Sequence, residues 1–218
     1  MPQIVTFIGR HNSGKTTLAT QVVKHLKESG YRVAVIKSSK ETGISFDKPG
    51  TDTDKHRQAG ADSILFVAPD QMVLMTQNNN LSLTTLAHRY FPDVDIVIGE
   101  GFKTAGYIAK IEVIRDAGEL LRSQVPGVIA VATDQNIAGD YIFRLNESRE
   151  IASFIEKRFL RDAGKEEEKV SLLVNGNKIP LKEFAQNALS GTVSDFVKSL
   201  KFTDDVQEIE LRIKLTGQ

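Results

Sequence analysis

Apolar positions fall into short runs separated by polar, glycine-marked breaks, and the spacing inside each run predicts its conformation. Gln3–Ile8 is an apolar, β-branched run that ends at Gly9. From Lys15 the spacing turns helical, through Leu18, Val22, Val23 and Leu26, until Gly30 closes the helix as a C′ glycine. Arg32–Ile36 follows as a strand with almost no polar interruption, the pattern of a parallel strand covered on both faces. These segments predict a β-α-β unit.

The same reading predicts strands at Ser63–Val67, Met72–Met75, Val94–Ile98, Lys110–Ile114 and Val128–Ala132. Helices are predicted near Thr53–Gln58, Leu83–Tyr90 and Arg149–Phe159, with Asn146 as N-cap of the last. Ser63–Val67 and Met72–Met75, separated by Ala68-Pro69-Asp70-Gln71, read as a local hairpin. The alternation predicts an α/β fold of three layers, a mostly parallel sheet with helices on both faces. The charged stretch 161–169 breaks the apolar pattern and is read as a linker, so a nucleotide-binding domain at 1–162 precedes a small α+β module at 168–218. In that module Ser171–Val174 and Lys178–Leu181 flank an Asn-Gly-Asn turn, a helix spans Glu183–Leu200, and Glu208–Leu215 is a last strand burying Ile209, Leu211, Ile213 and Leu215.

Composition narrows the class. The 218 residues are 40% hydrophobic and 26% charged, the balance of an ordinary globular protein. Lys plus Arg and Asp plus Glu both number 28, so no long-range field favours nucleic acid or a membrane surface. Cysteine is absent, which excludes disulfides and thiolate metal sites. Apolar runs such as Ile64–Ala68 are far shorter than the ~20 residues of a membrane span. The N-terminus lacks a secretory pattern, and the expected location is the cytoplasm.

Chemistry enters at Gly9-Arg10-His11-Asn12-Ser13-Gly14-Lys15-Thr16, which satisfies G-x-x-x-x-G-K-[ST] between a strand and a helix. The glycines let successive N–H groups turn toward phosphate oxygens, and the helix N-terminus adds unpaired donors. Lys15 neutralises the β/γ phosphates and the Thr16 hydroxyl ligates Mg²⁺. Thr17 follows as a phosphate contact in the first helical turn. His11 faces either the nucleotide, a partner subunit or solvent.

Magnesium beside phosphates needs carboxylate support. Glu100, where an apolar strand opens into the ligand crevice, is the candidate, and Asp95 at the other end reads as a cap or a solvated acid. Phe46–Asp52 lies where a γ-phosphate-sensing switch loop is expected, with Asp47 and Asp52 as candidates to hold metal or water. Alternatively, Pro49-Gly50 makes a turn and Thr51 or Asp52 caps the next helix. Lys15, Asp52 and Glu100 are thus the catalytic candidates, and Thr16, Asp47 and Glu100 the metal candidates. Thr133 and Asp134 end a strand where the base is often read, and an aspartate accepts from the ring N–H and amine of guanine.

Taken together, Gly9–Thr17, Val35-Ile36-Lys37, Asp47-Lys48-Pro49-Gly50 with Asp52, Ala59-Gly60-Ala61, Glu100-Gly101-Phe102-Lys103, Lys110-Ile111-Glu112 with Arg115, and Ala130–Asp134 resemble the molybdopterin-guanine dinucleotide biosynthesis protein B (MobB) family. The resemblance covers most of residues 3–160. It implies a dimeric P-loop NTPase fold that binds GTP with Mg²⁺ and hydrolyses it weakly, assisting the MobA-type guanylyltransferase that attaches GMP to molybdopterin. It implies phosphate and magnesium roles for Lys15, Thr16 and Thr17, metal support from Glu100, and guanine contact by Asp134. One departure stands out: members usually carry histidines after the lysine ending the second strand, whereas Lys37 here precedes Ser38-Ser39-Lys40-Glu41. A small-molecule kinase would bring an arginine-rich lid, and a metal-insertion GTPase would bring His- or Cys-rich sites. The four histidines are scattered.

Overall fold

The computed structural model describes residues 2–115, 119–161, 170–175, 177–201, 205–211 and 213. Its central sheet contains β1 (Gln3–Ile8), β2 (Val33–Lys37), β5 (Ile96–Glu100), β6 (Ala109–Val113), β7 (Val128–Ala132) and β8 (Ile142–Phe143). They lie in the order β2-β5-β1-β6-β7-β8, every pair parallel. Strand alternation divides the core. Ile96 and Ile98 face α1 (Lys15–Glu28) and α4 (Ser148–Ile155), whereas Val97 joins Ala34 and Ala87 of α3 (Leu83–Tyr90) on the other side. The parallel three-layer architecture expected from the sequence is the one observed.

The C-cap of α1 forms as expected: Gly30 has φ 90°, its N–H reaches the Lys27 carbonyl at 3.0 Å, and the Tyr31 N–H reaches Leu26 at 3.1 Å. At α4 the expectation fails. The N-cap position is Glu147, not Asn146, and its carboxylate folds back onto the Arg144 N–H at 2.7 Å, a local bond that fixes the entering turn. The helix then continues as a π-helical turn over Glu156–Leu160. The fifth strand also ends later than its apolar run, at Glu100, because Phe7 on β1 and Lys37 on β2 pair with that residue.

Among its described residues the connection from β6 to β7 holds a 3₁₀ turn at Leu121–Ser123 and no α-helix. Loops carry backbone groups with no ladder, and β6 supplies partners from its non-core face to the loop before it as well as to the connection after it. Lys110, 1% exposed, donates to the carbonyls of Ala105 (2.6 Å), Ile108 (3.1 Å) and Pro126 (3.0 Å). Glu112, equally buried, accepts from the N–H groups of Leu121 (2.7 Å) and Arg122 (3.0 Å). Two charged side chains thus tie the loops on both sides of β6 to that strand.

The expected hairpin is a separate two-stranded antiparallel sheet, β3 (Ser63–Val67) with β4 (Met72–Thr76). It follows α2 (Asp52–Gln58). Near the C-terminus β9 (Leu172–Val174) and β10 (Asn177–Ile179) pair antiparallel and α5 (Glu183–Lys198) follows. The expected strand at Glu208–Leu215 does not form in its described residues, 208–211 and 213. Ile209, Leu211 and Ile213 are exposed there, since alternation makes a strand only where an edge accepts it. Most of the expected linker, 162–169, lies outside the described residues.

Candidate functional site

The carboxyl ends of β5, β1 and β6 share one edge of the sheet, and the Gly9–Gly14 loop emerges from the central strand of the three. Gly9 has no alternative there. A β-carbon on it would stand 2.3 Å from the Val113 carbonyl oxygen and 2.6 Å from Ser13 Oγ. Asn12 (φ 58°) and Gly14 (φ 85°) both take left-handed backbone, which turns the intervening N–H groups. Gly14 is the N-cap position of α1. No side chain caps that end and no acidic residue occupies its first turn, so its donors and its positive dipole end are left for an anion.

Charged side chains then gather around Glu100. Thr16 Oγ1 donates to Glu100 Oε1 at 2.6 Å, and Lys37 Nζ stands 3.4 Å from the same oxygen. Lys15 Nζ donates to the Arg10 carbonyl at 2.5 Å and lies 3.4 Å from Ser13 Oγ. Burial lowers the Lys15 pKa; the Glu100 charge opposes that shift, while Lys103 and Lys37 add to it. Lys15, with the charges of Lys37 and Lys103 acting on it, forms a positive spot beside the Glu100 carboxylate in a chain of zero net charge. That is an environment for a polyanion. The Thr16 hydroxyl and Glu100 also present oxygen donors together, the chemistry a hard divalent cation accepts.

The remaining expected residues are placed more variously. Arg10, His11, Asn12 and Thr17 are exposed on the loop and first helical turn. Asp47 is engaged locally, accepting from Thr53 Oγ1 (2.5 Å), Thr51 Oγ1 (2.8 Å) and the Lys48 N–H (2.8 Å), and these bonds lower its pKa. Asp52 is 90% exposed at its side chain and pairs with Lys55 at 2.9 Å. Among the described residues no hydrogen bond or ion pair joins either aspartate to Lys15, Thr16 or Glu100, and no three His, Asp or Glu side chains converge on a metal site. The Pro49-Gly50 turn and the Thr51 cap both form, Thr51 Oγ1 accepting from the Asp54 N–H at 3.2 Å.

Asp54, unmarked in the sequence, is the buried anchor of this segment at 1% exposure. It accepts from the Gly50 N–H (2.9 Å), Arg57 Nη2 (2.5 Å) and Gln58 Nε2 (2.8 Å). The signal for it is weak, since an acid in the first turn of a short helix reads as a dipole partner. Asp95, read as a cap or a solvated acid, caps no helix and instead ties the start of β2, its Oδ2 accepting the Arg32 N–H at 2.7 Å. Thr133 is buried, and Asp134 Oδ1 accepts from the Leu145 N–H at 3.1 Å. Arg144 Nη1 holds the Asp134 carbonyl at 2.7 Å, so the end of β7 is fixed from the segment after β8.

Known proteins share this fold and much of this sequence. Residues 4–134 match the family described as Molybdopterin guanine dinucleotide synthesis protein B. The chain is 32% identical to the molybdopterin-guanine dinucleotide biosynthesis adapter protein of Escherichia coli, over 71% of this chain and 92% of that one. It is 26% identical to a Methanocaldococcus jannaschii protein provisionally described as such an adapter, over 98% of both, so the C-terminal residues are included in that match. The crystal structure of a molybdopterin-guanine biosynthesis protein B superposes with TM-score 0.60 at 30% identity, over 71% of this chain and 98% of that one. The Bacillus subtilis MobB structure, at 22% identity and TM-score 0.59, shares the fold over 73% of this chain. By motif, fold and matched length, the chain belongs to the MobB family.

Proposed function

We propose that the protein acts in molybdenum-cofactor biosynthesis as a GTP-binding adapter, serving a MobA-type guanylyltransferase that joins GMP to molybdopterin. The adapter description of its relatives supports the pathway. The observation that carries nucleotide binding is the convergence of Lys15, Thr16 and Lys37 on Glu100 at the uncapped N-terminus of α1. On this reading the loop N–H groups and Lys15 bind the phosphates, and Thr16 with Glu100 holds Mg²⁺. The metal supplies charge neutralisation at the phosphates. Asp134 favours guanine, accepting through Oδ2 while Oδ1 stays with Leu145. Hydrolysis is slow.

The test is calorimetric titration of wild type and Lys15→Ala with GTP and ATP, with and without Mg²⁺. GTP preferred over ATP, lost in Lys15→Ala, supports the reading; equal or tighter ATP binding overturns the role of Asp134. Rapid GTP turnover by the protein alone would overturn the adapter reading.

We further propose that the protein is a cytoplasmic homodimer. The β3–β4 hairpin exposes Leu65, Phe66, Val67, Met72 and Leu74, and an isolated two-stranded sheet is marginal in water, so a second copy covering it stabilises both. Sedimentation of Phe66→Glu against wild type decides this. A dimeric variant with unchanged affinity removes the hairpin from the interface. Among the described residues no helix is long and apolar enough to cross a membrane.

A further inference from the structure

Arg115 follows β6 and its guanidinium lies against the phosphate loop. A β-carbon on Gly14 would stand 3.3 Å from its Nη2, and its Cζ and Nε are nearly as close. Two residues earlier on the same segment, the Val113 carbonyl touches Gly9, so the end of β6 flanks both glycines of the motif. Among the described residues Arg115 makes no hydrogen bond or ion pair. Its guanidinium thus sits at the positive end of α1, beside the Gly14 N-cap position, with no carboxylate partner among the described residues. An anion bound at that helix end lies within reach of the guanidinium and pairs with its charge.

Strand order gives the direction. From the central β1, Glu100 and Lys37 lie on one side, on β5 and β2, while Arg115 lies on the other, just past β6, with Asp134 one strand further, just past β7. A nucleotide with its metal at Thr16 and Glu100 and its base toward Asp134 crosses the loop between them. Its γ-phosphate then falls on the Glu100 side and its α-phosphate on the β6 side.

We propose that Arg115 is a further nucleotide-binding residue, its guanidinium donating to the α-phosphate side of the bound nucleotide and not to the γ-phosphate. The proposal rests on the nucleotide reading above. It differs from an arginine that accelerates hydrolysis, which acts where charge develops at the γ-phosphate. A planar guanidinium donates two parallel N–H groups to a phosphate, which an ammonium cannot do.

The test is calorimetric titration of wild type, Arg115→Ala, Arg115→Lys and Lys37→Ala with GTP and with GDP, each in Mg²⁺. Arg115→Ala is expected to weaken GTP and GDP by the same factor, about 10- to 100-fold. Arg115→Lys should recover part of that loss, and Lys37→Ala should weaken GTP more than GDP. Ligand-free melting of the exposed Arg115→Ala variant should match wild type, which separates lost contact from lost fold. Unchanged affinities, or a loss confined to GTP, would overturn the placement while GTP binding by wild type preserved the nucleotide reading. If wild type bound neither nucleotide, both would fall together.

Discussion

Thr16 Oγ1 donates to Glu100 Oε1 at 2.6 Å across 84 residues of sequence, and this one bond joins the phosphate loop to the strand beside it. Glu100 belongs to β5 and pairs in register with Phe7 of β1 and Lys37 of β2, so its carboxylate is positioned by rigid strands. Glu100→Gln keeps the shape and removes the charge. The expected outcome is a loss of about tenfold or more in the Mg²⁺-dependent part of GTP affinity, with metal-free affinity raised or unchanged. Titrations with Mg²⁺ and with chelator check this.

Lys15 costs the ligand-free protein stability, because burial and the neighbouring Lys103 and Lys37 disfavour its charged form. With its folded pKa lowered, the penalty is complete below that pKa and fades as pH rises toward the ordinary value of 10.5. Lys15→Met should therefore melt higher than wild type at neutral pH, and the gap should shrink under alkaline conditions. Calorimetric scans without nucleotide across that range measure it. A lower melting temperature would show that the bond to the Arg10 carbonyl outweighs the burial cost.

Two glycines should respond to alanine for different reasons. At Gly9 the added carbon meets the Val113 carbonyl at 2.3 Å, so β6 or the loop must move and GTP affinity should collapse. At Gly30 nothing lies within 4 Å, and only the φ of 90° is strained. Gly30→Ala should cost about 1 kcal/mol and leave GTP affinity intact. Chemical denaturation and titration of both variants separate space from conformation.

The segment 47–58 should loosen in acid. Asp54 is held below the usual carboxylate range by the Gly50 N–H and then Arg57, and Asp47 by the Thr53 and Thr51 hydroxyls. Their stabilisation is complete above the ordinary pKa of 3.8 and is lost as pH falls through the lowered folded values. Exchange at the Gly50 amide, followed by NMR and corrected for intrinsic rates, should rise over that interval. In Asp54→Asn most of the pH dependence should disappear.

Lys110 donates to three carbonyls, which takes all three protons of an ammonium, so this bonding opposes the downward pull of burial on its pKa. Lys110→Met strands those acceptors. The expected loss is roughly 1–3 kcal/mol, with faster hydrogen exchange in the Gly101–Ile108 loop that follows Glu100. A stable variant with unchanged exchange would assign the loop's order to other contacts.

How much was legible follows from which forces are local. Gln3–Ile8, Leu83–Tyr90 and Val128–Ala132 were predicted to the residue because their apolar periods agree with the faces they bury. The Gly9–Thr16 strand–loop–helix turn was legible because its glycines, lysine and threonine lie within a few residues of one another. Asp54 was hidden, since its role depends on Gly50, Arg57 and Gln58 closing around it. The α4 cap was misassigned because Asn146 and Glu147 both lie at the helix entry, and the bond to Arg144 settled which residue took the cap position.

By itself, then, the sequence determined a glycine-rich strand–loop–helix motif, a parallel α/β sheet and the family, all carried by short-range pattern. Only the tertiary structure decided what surrounds that loop. Parallel pairing brings Lys37 and Glu100 to Thr16 from one side and Val113 and Arg115 to Gly9 and Gly14 from the other. The reason is physical: strand order is fixed by burying both faces of the sheet at once, and no stretch of chain encodes that order locally.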